Sequence, residues 1–330
     1  MGKKHRLRVV LLLLLFLGSA VTRGTSYGEN FVLVAQFDEW AYGPSGGYDC
    51  DQDGLNELLF CGAMDTVLGL KAYEHIGWNN YQLVHFLPHH EFVAVGDLDG
   101  DGLTDAVTQS SWVSGSDTIV IFESLTPNSY PDQLVWWGPT LSQGYTEYIQ
   151  ITDLDQDGKK EMLRHCGSWR LGIFECRGDN SYEQVFEDTT GSFVYRDLCV
   201  GDFDQDGKLE FVGVGQEVYH DRLRAWENTE VGVDSFVVTW EDTLIDAADS
   251  HSIAGANDMD QDGWPEFVVS SYRGGGYCLT VFEAVGDNLY EPVWADTIMG
   301  SAWFDEVVCG DVDADGLDEI CCGQQRDERI

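Results

Sequence analysis

The chain has 330 residues, 43% of them hydrophobic and 12% aromatic, so it can bury a large core and is excluded from the disordered class. Acidic residues number 58 against 18 lysines and arginines, a formal net charge of -40. Such a charge excludes nucleic acid and anionic membranes as partners, and it calls for counter-ions or for carboxylates gathered around cations.

The N-terminus carries Lys3, Lys4, Arg6 and Arg8 ahead of an apolar run over residues 9–17, too short to span a bilayer comfortably. Gly18, Ser19 and Ala20 offer small residues for cleavage. Residues 1–20 therefore read as a secretory signal peptide and 21–28 as a short linker. The protein is expected to be secreted or held at the cell surface, without membrane insertion after cleavage; an uncleaved anchor is the alternative. The nine cysteines include no CxxC pair. Cys61, Cys199 and Cys309 sit in apolar runs and read as small buried hydrophobes, while Cys166 and Cys176 are spaced to pair across a hairpin.

Internal repetition dominates residues 49–319. The first copy is Asp49, Cys50, Asp51, Gln52, Asp53, Gly54, Leu55, Asn56, Glu57. The second runs Asp97, Leu98, Asp99, Gly100, Asp101, Gly102, Leu103, Thr104, Asp105, and the third Asp153, Leu154, Asp155, Gln156, Asp157, Gly158, Lys159, Lys160, Glu161. The fourth is Asp202, Phe203, Asp204, Gln205, Asp206, Gly207, Lys208, Leu209, Glu210, and the fifth Asp258, Met259, Asp260, Gln261, Asp262, Gly263, Trp264, Pro265, Glu266. The sixth is Asp311, Val312, Asp313, Ala314, Asp315, Gly316, Leu317, Asp318, Glu319. The first aspartates lie 48, 56, 49, 56 and 53 residues apart. Every copy keeps acids at positions 1, 3, 5 and 9 and glycine at position 6.

Calcium takes six to eight oxygen ligands in flexible geometry. Carboxylates at 1, 3 and 5 of a tight turn can point inward together, glycine at 6 permits the bend, and position 7 can lend its backbone carbonyl while its side chain varies. The acid at 9 closes the shell. About six Ca²⁺ per chain are expected; magnesium, which keeps several waters, fits less well. Solvated acidic turns are the alternative. An EF-hand would place its closing glutamate at position 12 between helices, whereas the flanks here, such as Phe92 to Val95 and Phe211 to Val214, are short β-branched runs.

Two further strands are expected after each loop. A third ends in an aromatic and a glutamate: Tyr73-Glu74, Phe122-Glu123, Phe174-Glu175, Trp226-Glu227, Phe282-Glu283. A fourth carries Val84-His85-Phe86, Val135-Trp136-Trp137, Val185-Phe186, Val238-Thr239-Trp240 and Val293-Trp294. Four strands per unit predict an all-β fold, a β-propeller of four-stranded blades. Val95-Gly96-Asp97-Leu98-Asp99-Gly100-Asp101-Gly102 and Val200-Gly201-Asp202-Phe203-Asp204-Gln205-Asp206-Gly207 resemble FG-GAP or VCBS-type repeats, which build the propeller of integrin alpha chains and of many exported bacterial proteins. The resemblance covers residues 29–330 and implies calcium between the first two strands of each blade. It transfers no activity. Residues 31–37 resemble a fourth strand, and the sixth unit stops where its third strand should begin. The sequence therefore reads as six repeat units, the last incomplete, from a longer protein of six or seven blades.

The loops between second and third strands and between fourth and first strands should share the face opposite the acidic loops. Trp112, Trp169, Tyr219 and Tyr272 are read into the former, as a ligand face for a protein or a glycan. Packing between blades is the competing account of these aromatics. No GxSxG, HExxH, P-loop or dinucleotide fingerprint occurs; His89-His90-Glu91 is a dense His/acid group read as a solvated loop rather than a ligand site. The reading favours a binding or adhesion module. A carbohydrate-active enzyme, lyase-like, on the same scaffold is the alternative.

Overall fold

The computed structural model describes residues 12–14, 41–64, 67–77, 80–110, 117–141, 149–166, 170–189, 193–217, 220–243, 247–273, 276–298, 303–310 and 318–325. They form two compact units, one ending at Thr189 and one comprising the described residues beyond it together with 12–14. All regular elements among the described residues are strands.

β1 (Leu12–Leu14) comes first in the chain. The first sheet of the N-terminal unit contains β2 (Ala41–Tyr48), β3 (Glu57–Met64), β4 (Val67–Gly77) and β5 (Asn80–Pro88). Its second contains β6 (His90–Gly96), β7 (Asp105–Ser110), β8 (Asp117–Ser124) and β9 (Pro131–Leu141), and its third β10 (Ile149–Thr152), β11 (Glu161–Cys166), β12 (Arg170–Gly178) and β13 (Ser181–Glu187). The C-terminal unit holds β14 (Phe193–Gly201), β15 (Glu210–Glu217), β16 (His220–Asn228) and β17 (Phe236–Thr243), then β18 (Ala247–Gly255), β19 (Glu266–Arg273), β20 (Gly276–Gly286) and β21 (Leu289–Ile298). β22 (Trp303–Gly310) and β23 (Glu319–Gln325) complete it. Five sheets are four-stranded antiparallel meanders in chain order. The sixth has three strands, and its third place is taken by β1, with Leu12, Leu13 and Leu14 opposite Cys322, Cys321 and Ile320. These leucines belong to the run read as the signal peptide's apolar core; cleavage after residue 20 would remove this strand and leave the β23 edge open. The expected fourth strand over 31–37 lies outside the described residues.

Apolar side chains fill the spaces between neighbouring blades. In the N-terminal unit, Leu59, Cys61, Leu70 and Ala72 pack with Val120 and Phe122 of the next blade. In the C-terminal unit, Val212, Val214 and Leu223 pack with Ile253, Phe267 and Phe282. Phe267 and Phe282 stack with centroids 5.3 Å apart, and Trp240 meets both edge-on from the preceding blade. Each four-stranded blade also carries one bulge at the same place. The register between third and fourth strands slips at Ala72/Tyr73, Ile121/Phe122, Ile173/Phe174, Ala225/Trp226 and Val281/Phe282. One fourth-strand residue is skipped each time, which re-aims the side chains on either side of it. The aromatic at that point is buried in all five blades. Cys176 is a free buried thiol, so the Cys166–Cys176 pair is not made.

Candidate metal centre

Each acidic loop joins the first and second strands of a blade. In the first five loops the backbone turns twice through the left-handed region. Position 6 is glycine with φ near +90° in four loops (Gly54, Gly102, Gly158, Gly207) and +105° at Gly263. A Cβ would meet nothing within 4 Å at any of these, so the conformation alone requires glycine. Position 4 is also left-handed, with φ of 57° at Gln52, 63° at Gln156, 58° at Gln205 and 63° at Gln261; the second loop has Gly100 there.

The carboxylates organise this turn. The position 6 amide donates to the position 1 carboxylate, as in Gly207 to Asp202 at 3.2 Å, and the position 7 amide donates to position 5, as in Lys208 to Asp206 at 2.8 Å. The position 2 side chain is anchored in the core: Cys50, Leu98, Leu154, Phe203 and Met259 are all buried. Its amide is therefore held out of water and needs an acceptor. The position 9 acid supplies one. Cys50 donates to Glu57 at 2.6 Å, Leu98 to Asp105 at 2.7 Å, Leu154 to Glu161 at 2.5 Å, Phe203 to Glu210 at 2.8 Å and Met259 to Glu266 at 2.9 Å.

That bond uses one carboxylate oxygen. The other is buried without a hydrogen-bond partner in Glu57, Asp105, Glu161 and Glu210, as is one oxygen each of Asp51, Asp153 and Asp202. The charge is aggravated from the next strand. Glu57, Asp105, Glu161, Glu210 and Glu266 stand directly opposite Glu74, Glu123, Glu175, Glu227 and Glu283. Like charges directly opposite across a ladder are destabilising. Burial above all, with the neighbouring carboxylates adding, pushes Asp105 up to about 7, Glu161 and Glu210 to about 8 and Glu266 to about 7. In the third and fourth blades a lysine at position 7 partly offsets this: Lys159 bonds Asp157 and Glu175, and Lys208 bonds Asp206 and Glu227.

The donor set fits a hard cation. In the third and fourth loops, Asp153, Asp155, Asp157 and Glu161, and Asp202, Asp204, Asp206 and Glu210, each bring one ligand oxygen within 4.8 Å of the others. Asp49, Asp51 and Asp53 do so in the first loop, and Asp97, Asp99 and Asp101 in the second. The acids of the fifth loop share the same bonding pattern, Gly263 to Asp258 and Trp264 to Asp262. Leu55 and Trp264 at position 7 are exposed, leaving only their backbone carbonyls to act as ligands. Of the sixth loop, Asp311, Asp313, Asp315 and Leu317 lie outside the described residues, while Glu319 is buried at the start of β23.

Other expected site residues fare differently. Trp112, Trp169 and Tyr219 lie outside the described residues. Tyr272 is not in a loop: it is the penultimate residue of β19, opposite Tyr277, and packs against the cluster of Met259, Val268 and Leu279. The aromatic-rich strand simply continues further than its turn signals suggested. His90 likewise opens β6 rather than lying in a loop, with Nδ1 3.1 Å from the Thr108 hydroxyl and its ring edge-on to Phe122. Burial lowers its pKa to about 4, as expected of a packed, neutral imidazole. Residues not singled out from the sequence also reach the loops. Asn180 donates its amide to Asp99 at 2.8 Å and its side chain to Glu123 at 2.9 Å; Asn288 donates to Asp204 at 2.7 Å and to Glu227. The signal was present as Gly178-Asp179-Asn180-Ser181-Tyr182 and Gly286-Asp287-Asn288-Leu289-Tyr290, one motif in two blades.

Solved structures of other proteins share this architecture. AofleA from Arthrobotrys oligospora is similar with a TM-score of 0.50 at 12% identity, over 86% of this chain and 81% of that one. A triple arginine-to-alanine mutant of AofleA gives 0.50 at 11% identity, over 82% and 76%. A β-fructofuranosidase from Schwanniomyces occidentalis, complexed with fructosyl-erythritol, gives 0.45 at 10% identity over 87% of this chain, which spans 59% of that enzyme. At such identities the likeness is one of fold. No curated protein matches the chain significantly. The successive meander sheets and the AofleA likeness define the class, an all-β propeller of four-stranded blades. An FG-GAP-like repeat family model matches residues 258–322, from the fifth acidic loop into the second strand of the last blade.

The raised acids set a pH dependence for metal-free protein. A carboxyl whose folded pKa exceeds its unfolded one favours the folded state below the unfolded value, and this contribution is lost as pH rises through the folded one. In chelator, the melting temperature is expected to fall between about pH 4 and about pH 8, the window of Asp105, Glu161, Glu210 and Glu266. Thermal melts across that range check it; a melting temperature that climbs with pH would contradict the electrostatic picture.

Proposed function

We propose that the chain is a calcium-stabilised binding module acting outside the cell, its acidic loops each holding one Ca²⁺, about six per chain. One observation carries the calcium reading: carboxylate oxygens buried without a partner converge in repeated loops, facing further glutamates across the sheet. Zinc would call for nitrogen or sulfur ligands, whereas these sites offer oxygen alone. Positions 1, 3, 5 and 9 would hold the ion by carboxylates and position 7 by its carbonyl. The cation neutralises charge that folding otherwise concentrates, and so rigidifies the first turn of each blade. Extracellular calcium modules bind with Kd of roughly 10⁻⁴–10⁻³ M, and at ten times Kd each site adds about 1.4 kcal/mol. Metal analysis should find about six calcium ions, and the melting temperature of calcium-loaded protein should drop steeply in EGTA. A melting curve indifferent to EGTA would sink the reading.

The partner in this proposal is a protein or a glycan, met on the face opposite the acidic loops, where Trp112 and Trp169 are placed by the repeat pattern. Adhesion or ligand capture is favoured over catalysis because the sequence supplies aromatics there and no catalytic signature. A glycan array and a protein pull-down distinguish the two partner classes. Trp112→Ala combined with Trp169→Ala should abolish the binding found while leaving the calcium content intact. Undiminished binding by that variant would remove this face from the account.

A further inference from the structure

In the first and fourth loops the glutamine at position 4 turns its side chain away from the loop it belongs to. It sits between the ligands at positions 3 and 5, in a left-handed conformation that glycine or asparagine adopts more cheaply. In two loops its side chain reaches out to the next loop. In the N-terminal unit, Gln52 of the first loop donates through Nε2 to the Gly102 carbonyl at 3.2 Å and to the Thr104 hydroxyl at 3.1 Å, both in the second loop. In the C-terminal unit, Gln205 of the fourth loop donates to the Gly263 carbonyl of the fifth. The same position thus reaches the same carbonyl of the following loop in two separate blade pairs.

The acceptor is well chosen for transmission. Gly102 and Gly263 are position 6 of their loops, and the residue after each is position 7, whose carbonyl is the backbone ligand. Thr104 is buried, and its own amide is held by the Ser124 hydroxyl at 3.1 Å. The C-terminal pair has a second tie: the Asn288 amide, from the hairpin of the fifth blade, holds Asp204, the position 3 acid of the fourth loop, at 2.7 Å. Asp204 also accepts the Asp206 amide at 3.2 Å on its other oxygen, so one ligand carboxylate belongs to two blades at once.

We propose that calcium binding is positively coupled between adjacent loops, first with second and fourth with fifth, through the side-chain amides of Gln52 and Gln205. The proposal rests on the calcium reading. An ion gripped by positions 3 and 5 fixes the backbone of the glutamine between them. The fixed amide then holds position 6 of the next loop and pre-orders its position 7 carbonyl, so the second ion orders less chain on binding. By linkage the effect is reciprocal: filling the second loop strengthens the first. The second loop, with Gly100 at position 4, lacks this glutamine amide, and the third blade reaches it by other contacts, from Asn180 to Asp99 and from Lys160 to the Asp97 carbonyl.

The test is a calcium titration of the full chain by calorimetry, with hydrogen exchange at the Leu103 and Trp264 amides as a site-resolved readout. In the parent protein, disabling the first loop with Asp53→Ala should weaken calcium binding at the second loop, read as Leu103 protection, by about 5-fold. On a Gln52→Ala background the same Asp53→Ala change should leave the second loop's midpoint unmoved. Gln205→Ala should uncouple Trp264 protection from Asp206→Ala in the same way. If an alanine variant folds poorly, Gln52→Gly suits the left-handed backbone and removes the same amide. A second-loop midpoint that Asp53→Ala shifts equally with and without Gln52, or never shifts, overturns the coupling while leaving calcium binding in place. Absence of any calcium-dependent heat or protection overturns the calcium reading itself, and the coupling with it.

Discussion

A carboxylate that must accept a buried amide while facing another carboxylate is the constraint on which each blade turns. Position 2 of the loop is an anchor in the core, so its amide is cut off from water, and the acid at position 9 satisfies it. That acid is carried on the first residue of the second strand, where the ladder sets it against the glutamate near the end of the third. Satisfying one hydrogen bond thus concentrates two negative charges at the end of the sheet, beside three more in the loop. Lysine at position 7 relieves this in two blades, and no such side chain exists where position 7 is Leu55, Leu103 or Trp264. On the proposed reading a divalent cation would relieve it in each of them by one mechanism, which accounts for a repeated unit that keeps its shape while position 7 drifts among leucine, lysine and tryptophan.

The same electrostatics explains the composition. A net charge of -40 spread evenly over a surface would repel itself without local remedy. Here much of it is gathered into compact clusters, with apolar faces between blades supplying the cohesion. Phe203 shows the two tasks joined in one residue: its ring packs against Phe267 of the next blade while its amide is fixed by Glu210. Loop and core cannot be altered independently, and an ion bound in the loop would act directly on packing between blades.

Much of this was legible in the sequence because the repeat presents the same answer several times. Acids at 1, 3, 5 and 9 with glycine at 6 located the first-to-second strand turn in every described blade, and the aromatic-glutamate pairs located the ends of the third strands. The aromatic half of that signal proved to mark a bulge and a buried ring; the glutamate half proved to belong to the acidic site, which spacing along the chain alone does not reveal because cross-strand neighbours are distant in sequence. Asn180, Asn288, Gln52 and Gln205 were missed for a related reason. Their partners lie in another blade, roughly one repeat away or more, and a reading confined to one loop sees only polar turn residues. Tyr272 and His90 were misplaced because turn-like and strand-like residues mix at blade ends, so that a strand extends two to four positions beyond its apolar run.

The claim that buried, partnerless carboxylates are calcium ligands is tested most directly by diffraction from crystals grown in calcium, recorded at a long wavelength where calcium scatters anomalously. The account predicts one anomalous peak in each loop, about 2.3–2.6 Å from the carboxylates at positions 1, 3, 5 and 9 and from the position 7 carbonyl. Loops without peaks at saturating calcium, their position 9 acids bonded only to the position 2 amide, would contradict it.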